Sequence, residues 1–166
     1  MPSGNPAWSR LRGRPLMRRG VPVLVGKCAG RMMWIYYEWA DLGSSRDLDT
    51  KTTFLGYSCG WSVTPSSTGQ AGVIRWPSGD NTQSGPEIVF IYAQRTLEQG
   101  MWSGQTNIEC YAGWYIPAQG SGPARIRVVY NGNTQTKIIS PGSQSGAANT
   151  HVASITLRED GSFTLT

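Results

Sequence analysis

Four carboxylates in two stretches of the chain are the side chains best suited to chemistry. Asp47 and Asp49 lie two apart in the segment RDLDTKTTFLGYSCGW, and Asp80 and Glu87 bracket the turn-rich loop DNTQSGPE further along. If the first segment is a strand, its side chains alternate between faces, so Asp47 and Asp49 point the same way. Calcium takes about 6–8 oxygen ligands, with backbone carbonyls and water completing the shell. Folding the loop back beside the strand would therefore create a candidate calcium site from Asp47, Asp49, Asp80 and Glu87.

A simpler interpretation of the same residues stays open. Asp80 and its neighbour Asn81 are typical turn residues, because their side chains accept hydrogen bonds from nearby backbone N–H groups. In that case Asp47 and Asp49 would face solvent or Arg46 and would bind nothing.

The same motifs carry a family resemblance. The triplet DLD at 47–49, the GDN…SGPE loop and a strand-rich tail ending in ASITLREDGSF resemble bacterial pre-peptidase C-terminal β-sandwich modules over residues 33–166. Those modules are non-catalytic accessory domains, and several bind calcium through acidic residues near such motifs. The resemblance therefore implies calcium at the four carboxylates named above. Thr50 departs from it, since the family commonly has an apolar residue there, and the resemblance does not extend to the first thirty-odd residues.

Signatures of catalysis are scarce in this sequence. A Ser-His-Asp triad needs an activated serine, and the chain has a single histidine, His151, and no GxSxG motif. A phosphate-binding glycine loop is also absent. A carboxylate pair such as Asp49 and Glu87 would suit glycoside hydrolysis if the two groups lay about 5–10 Å apart. We expect the protein to be a non-enzyme, because turn-rich sandwiches without a deep cleft more often bind than catalyse.

The three cysteines, Cys28, Cys59 and Cys110, do not have the spacing of a zinc site. Their odd number allows one disulfide with one thiol left over, no disulfide, or a bridge between chains. A nucleophilic cysteine would need a nearby base, for which His151 gives little support.

Residues 33–166 have the pattern of an all-β protein. Short apolar runs alternate with Gly, Pro, Ser and Asn, as an antiparallel sandwich of the jelly-roll type requires. In MMWIYYEW, alternation places Met33, Ile35, Tyr37 and Trp39 on one face, and in ARIRVVY it places Ile126 and Val128 inward. Asn131-Gly132 predicts a tight hairpin turn. Gly56 and Gly60 mark candidate bulges. EIVFIYAQ is predicted to be a central strand, and TLEQGMWSGQ is predicted to be a connection. No helix longer than two turns is expected.

Residues 1–32 are predicted to form an extended arm, which differs from the rest of the chain in being strongly basic. Residues 1–33 contain seven of the fifteen lysines and arginines and no acid, a charge of +7, whereas the remaining residues, with eight bases and ten acids, carry −2. Prolines and glycines disfavour a long helix here. We expect the arm to dock on neighbouring protein subunits through Trp8, Arg10, Arg12, Arg14, Leu16, Arg18 and Arg19. Binding of nucleic acid through phosphates, a solubilising tail and an extra strand of the domain are the alternatives.

The sequence shows no run of about 20 apolar residues that would predict a membrane helix. The apolar stretch VPVLV is shorter than the roughly 7–15 residues of a signal-peptide core, so we expect synthesis in the cytoplasm without a signal peptide. An all-β body with a basic arm predicts a structural subunit of an assembly, with a tailed-phage virion as the expected setting. The alternative is an extracellular accessory module that binds calcium or carbohydrate, since aromatic rings also stack on sugars.

Overall fold

The computed structural model describes residues 32–39, 47–61, 63, 68–82, 85–115, 122–144 and 150–166. All of them belong to one compact unit, Arg31–Thr166. Residues 1–31 of the predicted arm lie outside the described residues, and so do Cys28 and the candidate partner-binding residues from Trp8 to Arg19.

The described chain contains eleven strands and one short helix. In chain order they are β1 (Met33–Glu38), β2 (Leu48–Phe54), β3 (Tyr57–Gly60), β4 (Ile74–Arg75), β5 (Glu87–Ile91), α1 (Ala93–Glu98), β6 (Gln105–Tyr115), β7 (Ala124–Tyr130), β8 (Asn133–Ile139), β9 (Ser143–Gln144), β10 (His151–Arg158) and β11 (Phe163–Leu165).

These strands form two sheets. The first has five strands in the order β4-β5-β1-β7-β8, and the second has the order β11-β10-β6-β2-β3, with β9 added in parallel to β6. All other pairings are antiparallel. One hydrophobic core contains residues from both sheets. The prediction of an all-β antiparallel sandwich is confirmed.

The faces of the strands follow the predicted alternation. Met33, Ile35 and Tyr37 of β1 are fully buried, while Trp34 and Tyr36 between them are half-buried on the outer side. The same period of two places Ile126 and Val128 of β7 in the core. Because successive side chains of a strand point to opposite faces, each strand contributes one apolar row to the core.

Two tight turns fix the register of neighbouring hairpins. Asn131 and Gly132 between β7 and β8 have φ angles of 48° and 76°, as the sequence predicts for a two-residue hairpin loop. Leu55 and Gly56 between β2 and β3 have φ angles of 50° and 79°. Gly56 therefore belongs to a turn, and the prediction of a bulge at this residue is wrong.

The helix α1 occupies a stretch that the sequence analysis assigned to the end of a strand and a connection. β5 ends at Ile91, and the chain turns into α1 two residues later. The Thr96 hydroxyl accepts a hydrogen bond from the Trp102 indole N–H at 2.9 Å and donates to a backbone carbonyl of the same turn. This packing within a short segment stabilises a helix too short to produce a periodic pattern. No helix of the described residues has the length and apolar character needed to cross a membrane.

Candidate functional site: an acidic cluster where the two sheets meet

Three of the four predicted carboxylates lie together in the structure. Asp47 immediately precedes β2, Asp49 is in β2, and Asp80 lies in the connection between β4 and β5. One carboxylate oxygen from each lies within 4.8 Å of the other two. The cluster therefore combines a strand of one sheet with a loop of the other.

The backbone of β2 positions Asp47, which directly precedes the strand, and Asp49, which is its second residue. β2 pairs with β6, where Asp49 lies opposite Gly113, and the carbonyl of Asp47 accepts the N–H of Tyr115 at 2.9 Å. Asp47 and Asp49 are two residues apart in this extended segment, which places their side chains on one side, as the sequence indicates.

The loop that carries Asp80 is attached to β5. The hydroxyl of Ser78 accepts the N–H of Ile88 at 2.8 Å, and the N–H of Asn81 donates to Glu87 Oε1 at 3.1 Å. These two contacts lie on either side of Asp80 in sequence. They hold the loop so that Asp80 faces the start of β2.

Glu87 stands apart from the three aspartates. It is fully buried at the first position of β5, and its Oε2 makes a hydrogen bond with the Thr50 hydroxyl. Thr50 is the residue after Asp49, and the alternation of β2 places it on the buried face of the strand. The sequence pattern does not predict the supporting contacts that Ser78 and Thr50 make here.

Burial makes the carboxyl groups of Asp47, Asp80 and Glu87 reluctant to ionise. Burial, together with the nearby charge of Asp80, raises the pKa of Asp47 to about 6. Burial also raises the pKa of Asp80. For Glu87 the pKa rises to about 8, because burial outweighs the hydrogen bonds from Thr50 and Asn81. A cation at this place would relieve the repulsion.

The environment of Asp47 is the most informative feature of the cluster. The residue is only 9% exposed, and its buried Oδ1 has no hydrogen-bond partner. None of the ion pairs between described residues involves Asp47 or Asp80. A buried acceptor without a donor is costly, and a bound metal ion satisfies it. Asp80, which is exposed, gives the cluster access to solvent.

The single histidine does not form a catalytic triad with its neighbours. His151 Nε2 lies 2.8 Å from Glu109 Oε2 and 3.1 Å from the Ser154 hydroxyl, while that hydroxyl donates to Glu109 at 2.6 Å. A triad requires the two partners to contact opposite ring nitrogens, with the serine donating to the histidine. Here one nitrogen contacts both residues, and the serine proton points to the carboxylate.

The outer face of the five-stranded sheet holds the aromatic residues considered for sugar stacking. The rings of Trp34 and Tyr36 are nearly parallel, 17° apart, and Trp34 packs against Phe90 with 4.4 Å between ring centroids. The Arg127 guanidinium covers one side of the Tyr36 ring at 3.9 Å. Sugar stacking needs an open ring face, so the contacts of Tyr36 fit packing within the sheet better.

Cys59 and Cys110 are buried free thiols. Both are aligned with Thr52, Cys59 on β3 from one side and Cys110 on β6 from the other. Two inter-strand spacings, each of about 4.8 Å, separate the backbones of Cys59 and Cys110. Their Cα atoms therefore lie farther apart than the roughly 7 Å that a disulfide can span. Of the alternatives that the sequence leaves open, a Cys59–Cys110 bridge is excluded by this register.

Comparison with protein-family models, with curated proteins and with solved structures finds no match for this chain. The resemblance to pre-peptidase C-terminal modules therefore stays a prediction.

Proposed function

We propose that this protein is a non-enzymatic β-sandwich module that binds one calcium ion at Asp47, Asp49 and Asp80. The ion would connect the start of β2 to the β4–β5 loop and so join the two sheets at one end. The role is structural: the ion strengthens the sandwich and orders the loop, while the protein performs no reaction.

The observation that carries this proposal is the buried, unpartnered Oδ1 of Asp47 inside a group of three carboxylates. Three ionised aspartates bring a formal charge of −3, which a divalent cation reduces to −1. Oxygen-only ligands suit a hard cation, and calcium accepts irregular geometry with water in the remaining positions more readily than magnesium does. The pair Asp49 and Glu87 is poorly suited to hydrolysis, since neither side chain is open to a substrate.

Calorimetric titration of the full chain with CaCl₂, paired with thermal melts, tests the proposal. Calcium at about 100 times its Kd should stabilise the folded state by about 2.7 kcal/mol. Asp47→Asn and Asp80→Asn should abolish both the heat of binding and the thermal shift. Asp160→Asn is the matched control, because it removes the same charge at a fully exposed hairpin turn far along the sequence.

The proposal fails if the wild-type chain shows no heat and no rise in melting temperature with excess calcium. It also fails if Asp160→Asn lowers the affinity as much as Asp47→Asn does, because the effect would then come from net charge alone.

A second candidate function is a subunit of an oligomeric assembly, with the virion as the predicted setting. The distribution of charge along the chain favours this candidate, because the basic arm of one copy, with a charge of +7, complements the rest of another copy, with a charge of −2. Light scattering of the full chain and of a variant lacking residues 1–30 tests this candidate. The full chain should be oligomeric, and the variant should be a folded monomer. If the full chain and the variant have the same mass distribution, the arm does not hold the subunits together.

A further inference from the structure

We infer that Glu87 is a positioning residue of the acidic cluster, which holds the Asp80 loop against β2 and does not coordinate the ion itself. This inference rests on the proposed calcium site and assigns a different task to one of its four predicted ligands.

The contacts of Glu87 connect the two halves of the cluster. Its Oε1 accepts the N–H of Asn81, the residue after Asp80, and its Oε2 bonds to the hydroxyl of Thr50, the residue after Asp49. One side chain thus contacts the neighbours of two proposed ligands that lie about thirty residues apart in sequence. The distance between Asp80 and Asp49 depends on this bridge.

The position of Glu87 explains why it serves as a support. Both of its carboxyl oxygens already have partners, and it lies outside the group of three aspartates whose oxygens come within 4.8 Å. It is fully buried, whereas Asp80 is exposed and offers the route by which an ion enters. Residues that orient metal ligands from behind commonly change metal affinity about 10–100-fold when their contacts are removed.

Substitution of Glu87 by glutamine separates a support from a ligand. In Glu87→Gln the amide oxygen can accept the Asn81 N–H and the amide nitrogen can donate to Thr50, so both contacts persist without a carboxylate. We expect Glu87→Gln to bind calcium within about threefold of the wild type, and Glu87→Ala to bind about 10–100-fold more weakly. Thr50→Val, which removes the hydroxyl at constant size, should weaken binding as well, and Thr50→Ser should not. This pair keeps the test valid if Glu87→Ala does not fold.

A second measurement does not depend on calcium. In metal-free protein, hydrogen exchange of the Asn81 amide should speed up in Glu87→Ala and Thr50→Val, and stay close to the wild type in Glu87→Gln. Loss of calcium binding in Glu87→Gln as complete as in Asp47→Asn would overturn the inference, and so would unchanged exchange at Asn81 in both Glu87→Ala and Thr50→Val. If the wild type binds no calcium, the proposed function fails, while the exchange data still decide whether Glu87 holds the loop.

Discussion

The hydroxyl of Tyr37 lies 2.7 Å from the hydroxyl of Thr52, and this buried contact links β1 of the five-stranded sheet to β2 of the six-stranded sheet. The Tyr37 hydroxyl also lies 3.3 Å from the carbonyl of Lys51. Burial raises the pKa of Tyr37 well above its ordinary value, so the phenol stays protonated and keeps its donor. The middle of the sandwich is therefore joined by polar contacts as well as by apolar packing.

Replacing Tyr37 by phenylalanine should destabilise the protein by about 1–3 kcal/mol, because it leaves the buried Thr52 hydroxyl without its partner. The double variant Tyr37→Phe/Thr52→Val should regain part of this loss, since neither hydroxyl remains to be satisfied. Urea unfolding of both variants measures the difference. Equal stability of Tyr37→Phe and the wild type would show that the contact contributes nothing net.

The strand faces could be predicted from the sequence, because a period of two is a local property. Met33, Ile35 and Tyr37 are buried as expected, and the turn at Asn131-Gly132 follows from two residues that tolerate positive φ. The helix α1 could not be predicted, since it spans only six residues and depends on the contact between Thr96 and Trp102.

The candidate site was predictable to a similar extent. The spacing of Asp47 and Asp49 indicates that their side chains point the same way. The hydrogen bond between Glu87 and Thr50, in contrast, depends on which residues of the two sheets lie next to each other. Nothing local in the sequence specifies that meeting, because the two residues are 37 positions apart.

The metal-free protein should lose stability as the pH rises from about 4 to about 8. The folded-state pKa is about 6 for Asp47 and about 8 for Glu87, whereas both groups titrate near 4 when unfolded. The folded chain therefore holds more protons than the unfolded chain in this window, and the free energy of unfolding falls with increasing pH. Urea unfolding in EDTA at pH 5, 6.5 and 8 measures this slope. In Glu87→Gln the free energy of unfolding should fall less between pH 6.5 and pH 8 than it does in the wild type. A free energy of unfolding that rises across the window in EDTA would contradict this account.

Gly60 should not tolerate a side chain. Its φ of 131° is unfavourable for other residues, and a Cβ there would lie 2.0 Å from the carbonyl oxygen of Thr50. Gly60→Ala should cost more than about 2 kcal/mol of stability and should also weaken calcium binding, because the backbone beside Asp49 must shift. Gly142→Ala is the control, since a Cβ at that position meets nothing within 4 Å. Similar melting temperatures for the two variants would refute the prediction.

Cys59 and Cys110 should remain unreactive thiols in the folded protein. Burial raises the pKa of Cys110 to about 12 and also raises the pKa of Cys59, so the reactive thiolate is scarce at neutral pH. In a Cys28→Ser variant, a thiol-specific reagent should modify two cysteines only after unfolding. Rapid modification under native conditions, or a bond between the two thiols after mild oxidation, would contradict the strand register.

The three aspartates come from segments that belong to opposite layers of the sandwich, with Asp47 and Asp49 on one and Asp80 on the other. An ion held among them would resist sliding of one layer past the other. Pulling the layers apart mechanically would then require breaking the bonds between the ion and the aspartates. The force at which the sandwich ruptures in a single-molecule experiment would then depend on free calcium, and the surroundings of the protein would set its mechanical strength.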